Sequence, residues 1–202
     1  MTLNTPCLEV AITTAKETTV FEKWQQQAHL DLATLPGFMS GIALCDIENT
    51  TVHADLILWE SEASARSAAK VIQQDERFSS FMQSIESIIH FAHYDGAFPE
   101  AMSRLMKSPI IEVTAYKTTL ENNIAKLRAS IYEALRSMEG ASPQVAGTCV
   151  DDASTLIDLI GWKSKVLSET APSILMTNHP EAEPFFSNIG KIEIKTLFEV
   201  VK

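Results

Sequence analysis

Two acids in this chain stand where each can share a strand face with a tryptophan. Asp55 lies four residues before Trp59, Asp158 lies four before Trp162, and the upstream acids Glu9 and Glu112 are separated by the same 103 residues as the two aspartates. Side chains alternate between faces along an extended chain, so Asp55, Ile57 and Trp59 fall on one face. A carboxylate beside an indole in a water-poor cavity has its pKa raised by desolvation and can serve as a general base. His53 shares the face of Asp55 and offers a proton shuttle or a metal ligand. The expected catalytic groups are therefore Asp55, His53 and Glu9. Trp59, Trp162, Asp158, Glu112 and Tyr116 are the expected contacts to a small molecule. The competing reading makes the acids solvated or ion-paired and the indoles core filler.

Other chemistries are poorly supplied. Cys45 and Cys149 read as matching positions, but neither is flanked by Lys, Arg or His that would lower a thiol pKa, so both read as small buried hydrophobes. His90 and His93 point to opposite faces of a strand and make a poor metal pair. The three cysteines have no paired short spacing, which argues against a disulfide framework or a zinc site. No Ser-His-Asp order, phosphate-cradling glycine loop or HExxH pattern is present, so no cofactor and no metal are expected. A formal charge of −10 without a basic patch disfavours nucleic acid and anionic membranes as partners. The N-terminus carries no signal-peptide pattern, so a cytoplasmic location is expected.

The elements that must position these residues occur twice. Ala54-Asp55-Leu56-Ile57-Leu58-Trp59-Glu60-Ser61 is echoed by Ile157-Asp158-Leu159-Ile160-Gly161-Trp162-Lys163-Ser164, and Leu8-Glu9-Val10 by Ile111-Glu112-Val113. Each copy reads β-α-β-β-α-β, giving a first repeat over 1–95, a linker over 96–109 and a second repeat over 110–202. Glu100 to Met106 in the linker suggests one or two helical turns. Right-handed crossovers give each copy a four-stranded antiparallel sheet of order 4-1-3-2 with both helices on one face. The third strands are apolar on both sides, so the bare faces must be covered, and the economical cover is the other copy. The expected fold is α+β: two tandem ferredoxin-like repeats whose sheets pack face to face as a pseudo-dimeric α/β barrel. If Leu8, Val10 and Ile12 face the helices, then Glu9, Ala11 and Thr13 face a cavity inside the barrel.

Trp59-Glu60-Ser61 and Trp162-Lys163-Ser164, each ending a third strand and leading into a helix, carry a family likeness. The chain resembles the dimeric α/β barrel superfamily, most closely its antibiotic-biosynthesis-monooxygenase type. The resemblance implies a cofactor-independent oxygenase acting on, or a protein binding, a small apolar or aromatic molecule. The alternative from another class is a non-catalytic ligand-binding or assembly module of the same fold. Haem-degrading members are similar at the strand end but use a first-strand Asn and a second-helix Trp, which this chain lacks, so haem binding or degradation is disfavoured. The two repeats are expected to pair within the chain, with a further homodimer left open.

Overall fold

A computed structural model describes residues 5–96, 98–119 and 123–201. The first half runs β1 (Cys7–Ala15), α1 (Thr18–Leu32), β2 (Phe38–Asp46), β3 (Val52–Trp59), α2 (Glu62–Gln74), a 3-10 turn, α3 (Ser79–Ser84) and β4 (Ile85–Asp95). After α4 (Pro99–Leu105), the second half repeats the order as β5 (Ile110–Thr118), α5 (Ile124–Ser137), β6 (Ala141–Cys149), β7 (Thr155–Trp162), α6 (Lys165–Asn178), α7 (Ala182–Ser187) and β8 (Ile189–Val200). The break expected at Gly140 to Pro143 is shorter than that, because β6 begins at Ala141 and absorbs its proline at a register shift between Pro143 and Val145. The expected start of the long second-half helix at Leu120 lies outside the described residues. Glu17, rather than Thr18 or Thr19, caps α1, its carboxylate accepting from the Thr19 and Val20 amides.

All eight strands pair antiparallel in a closed barrel of order β1-β3-β2-β8-β5-β7-β6-β4. It consists of two sheets of order 4-1-3-2, joined at one seam by Leu44 to Asp46 of β2 on β8 and at the other by Tyr94 and Asp95 of β4 on β6. The registers of the halves coincide at a constant offset: Ala11 faces Asp55 as Thr114 faces Asp158, and Cys7 faces Trp59 as Ile110 faces Trp162. Even the irregularities recur, with β1 against β4 shifting after Ile12 and after Thr14 and β5 against β8 shifting after Ala115 and after Lys117. This register also corrects one pairing. Cys45 stands opposite His53 and Thr148 opposite Leu156, so Cys45 corresponds to Thr148. Cys149 is one residue out of phase and joins the barrel core instead.

The barrel interior is a packed apolar core in which Leu8, Val10, Ile12, Leu56 and Leu58 meet Ile111, Val113, Ile157 and Leu159 across the two sheets. Phe98, Ala101, Met102 and Leu105 bring the linker helix into the same cluster. Gly161 serves that linker: a Cβ there would stand 2.0 Å from the Ser108 Oγ, so the glycine makes room for the linker. The expected facing is therefore reversed. Leu8, Val10 and Ile12 point into the barrel, and Glu9, Ala11, Thr13, Asp55 and Ile57 point toward the helices. Both faces are covered, so alternation alone does not say which cover is the drier. The closed barrel offers the polar set no partners, whereas the helices do.

Candidate functional site

Each half holds a cavity between its sheet and its helices, about 220 Å³ in the first and about 290 Å³ in the second. Neither lies inside the barrel, where the oxygenase-like cavity was expected. In the first half, Glu9, Thr13 and Asp55 form the floor, His29 contributes from α1, and Phe81, Phe91 and Ile88 supply apolar walls. In the second half, Glu112, Tyr116, Asp158 and Trp162 line the cavity, with Tyr132 from α5 and Phe185 from α7.

The first-half floor is sparsely bonded. Asp55, 7% exposed, uses one oxygen: Oδ1 accepts from Gln25 Nε2 at 2.9 Å and meets His29 Nε2 at 2.6 Å. A carboxylate only accepts, so His29 carries a hydrogen on Nε2, and the neutral ring then offers Nδ1 as its accepting nitrogen. That ring edge passes over Gly41, where a Cβ would lie 3.0 Å from Nδ1, and the His29 side chain remains 17% exposed. Glu9 is 6% exposed and pairs through Oε2 with His93 Nε2 at 3.1 Å. The Thr13 hydroxyl and the Gln25 Oε1 are buried without a partner among the described residues. Such orphans each cost about 1–3 kcal/mol unless something answers them.

The second-half floor is saturated. Asp158 Oδ1 accepts from Arg128 Nε at 2.8 Å and from the Tyr132 hydroxyl at 2.7 Å, while Oδ2 accepts from the Tyr116 hydroxyl at 2.7 Å. Arg128 also donates to the carbonyls of Gly147 and Ile157, and Tyr132 shares its single hydrogen with the Val145 carbonyl. Burial works against the charge on Arg128, yet Asp158, Tyr116 and Tyr132 together hold its pKa above the ordinary value. Burial, reinforced by Asp158, drives both tyrosine hydroxyls far above their usual range, so they stay neutral donors. Glu112 accepts from Trp162 Nε1 at 2.9 Å and from Thr114 Oγ1 at 3.1 Å. Desolvation raises its pKa against the pull of Lys195 and these two donors.

Of the expected residues, Glu9 and Asp55 line the first cavity, and Glu112, Tyr116, Asp158 and Trp162 line the second. His53 and Trp59 line neither. His53 shares the face of Asp55 as expected, but Asp55 is bonded to Gln25 and His29, and His53 instead packs beside Phe21 with ring centroids 4.5 Å apart. Trp59 is fully buried against the edge of Phe38. His90 and His93 do diverge: His90 bonds the Tyr94 hydroxyl and His93 bonds Glu9. Sequence reasoning passed over Gln25, His29, Arg128 and Tyr132. The repeat offset was the signal that could have found them, since Gln25 and Arg128, like His29 and Tyr132, stand 103 residues apart and serve the two aspartates.

No family model matches the sequence, and no curated protein matches it. Solved structures do match in fold. A provisionally named monooxygenase of Fusobacterium nucleatum superposes with a TM-score of 0.67 at 13% identity, over 98% of this chain and 94% of that one. An anthrone oxidase-like protein gives 0.65 at 14% identity, over 98% and 92%. A protein provisionally named a chlorite dismutase gives 0.70 at 10% identity, over 98% and 96%. At such identities the likeness concerns fold. The chain has the dimeric α/β-barrel fold, with two ferredoxin-like halves in one polypeptide.

Proposed function

We propose that the first-half cavity takes a small, largely apolar molecule carrying an acidic O–H or C–H, and that His29 removes that proton as the opening step of a cofactor-independent oxygenation. The observation that carries this reading is an apolar hollow whose floor holds the orphaned Thr13 hydroxyl beside the His29–Asp55 pair. Asp55 is then a positioning residue. It fixes the imidazole tautomer and stabilises the imidazolium formed when Nδ1 takes the proton. Thr13 supplies a hydrogen-bond donor to the oxygen of the bound anion. At about 220 Å³ the cavity falls below the roughly 300–1,000 Å³ typical of drug-sized ligands, so the substrate is a compact molecule of few rings.

The protein named anthrone oxidase-like, which shares the fold, supports a ketone-activated methylene as the substrate class. Deprotonation gives a resonance-stabilised anion that dioxygen oxidises directly. Converting one methylene to a carbonyl consumes one dioxygen and releases one water, so the reaction balances without another reductant.

Incubating the protein with anthrone-type ketones and small phenols, while following oxygen uptake and ligand-induced fluorescence change, tests the reading. His29→Ala should keep ligand binding and lower kcat by about 100-fold or more, the usual contribution of a positioned base. Wild-type turnover in that variant, or no binding by any of these molecules, overturns it.

A further inference from the structure

Beside this cavity, but not lining it, the Glu22 carboxylate on α1, the Cys45 thiol on β2 and the His53 imidazole on β3 converge, with one ligand atom from each lying within 4.8 Å of the others. We propose that these three residues bind a divalent cation of the zinc class, and that the bound ion fastens α1 to the sheet.

His53 is the strongest pointer. It is fully buried, and neither ring nitrogen makes a hydrogen bond among the described residues. Cys45 makes only long contacts, to the carbonyls of Asp46 at 3.7 Å and Thr50 at 3.9 Å. A cation bound there would displace the thiol proton and be held by the thiolate.

The donor set selects the ion. One sulfur, one imidazole nitrogen and one carboxylate oxygen suit a borderline metal and not the all-oxygen preference of calcium or magnesium. Three protein ligands leave the fourth tetrahedral position to water. Ligand atoms around zinc stand roughly 3.5 Å apart, so the cluster closes by about 1.3 Å at most, within the reach of the Glu22 side chain.

The second half provides an internal control. At the positions corresponding to Glu22, Cys45 and His53 it has Ala125, Thr148 and Leu156, none of which can replace its counterpart. The ligand set and the unsaturated cavity therefore occur in the same half. Glu22 precedes Gln25 by three residues and His29 by seven, placing all three on one face of α1. An ion holding Glu22 would hold the helix that carries His29, whether or not the cavity is catalytic.

The test uses the full chain, stripped by a chelator and titrated with cobalt(II) and zinc(II). The expected result is one cobalt per chain, a thiolate-to-cobalt charge-transfer band in the near ultraviolet, and displacement by zinc. Zinc at a hundredfold excess over its Kd should raise Tm by about 5–10 °C. His53→Leu and Cys45→Thr, the residues found in the second half, should each weaken binding by at least about 100-fold, with folding checked by circular dichroism. Binding that survives both substitutions would place the metal elsewhere and overturn the proposal. If neither variant folds, the cobalt spectrum of the unaltered chain decides: a wild type without the thiolate band has no such site.

Discussion

The two halves share strand order, register and bulges, yet their polar centres are in opposite states. In the second, Asp158 has both oxygens occupied by Arg128, Tyr132 and Tyr116. In the first, Gln25 and His29 replace the arginine and the tyrosine, and Thr13 stands where Tyr116 does, its hydroxyl without a partner. The same backbone thus supports one centre whose hydrogen bonds are complete and one that leaves the Thr13 hydroxyl and the Gln25 Oε1 without partners among the described residues. A buried aspartate repeated in sequence does not mark a repeated function. What the opposing helix brings to it separates a saturated carboxylate from a sparsely bonded one.

The largest expected effect concerns the partnership of the halves. Because each sheet buries a face against the other and α4 adds Phe98, Met102 and Leu105 to the shared core, fragments 1–97 and 98–202 should be insoluble when made separately and soluble when made together. A monomeric, folded fragment in light scattering would break the comparison at its root. Next comes the contrast between the aspartates. Asp158→Ala strands Arg128, which is 8% exposed in its side chain, and should cost about 3–5 kcal/mol in urea unfolding. Asp55→Ala strands no guanidinium and should cost about 1–2 kcal/mol. Equal losses would mean the two centres are equally structural.

A smaller contrast lies one strand away. Tyr116→Phe removes the donor to Asp158 Oδ2 and should cost about 1 kcal/mol, whereas Thr13→Val removes an unanswered hydroxyl and should be neutral or stabilising. The smallest effect is on pH dependence. Glu112 has a folded pKa raised by desolvation above its ordinary 4.5, so the folded state holds more protons than the unfolded one between those values. Stability contributed by its neutral form is present below that window and lost as pH rises through it. Glu112→Gln, which still accepts from Trp162, should flatten that part of the stability profile, and an unchanged slope would show that Glu112 ionises freely.

The architecture was legible because the third strands are apolar on both faces. Leu56 and Leu58 alternate with Ile57 and Trp59, which demands cover on each side, and the repeat supplied it. The facing was not legible from β1. Its alternation separates Leu8, Val10 and Ile12 from Glu9, Ala11 and Thr13, but the habit of placing the apolar set under helices fails when the opposite face closes into a barrel. His29 was hidden for another reason. On α1 it sits among polar residues, and its value comes from Asp55, a strand residue 26 positions away, at 2.6 Å. Only the repeat offset linking His29 to Tyr132 could have connected them.

The repeated bulges act as phase shifters. Thr13 pairs with Ile88 and Ile12 with His90, so Ile89 is the extra residue, and Glu193 is its counterpart in β8. Without that extra residue, Ile88 and Ile192 would turn toward the barrel core. With it, they stand at the lips of the two cavities, 61% and 52% exposed. The first of the two bulges in each sheet thereby puts a greasy threshold at each cavity, and deleting Ile89 alone would swap that threshold for its neighbours on one side of the molecule while leaving the other intact.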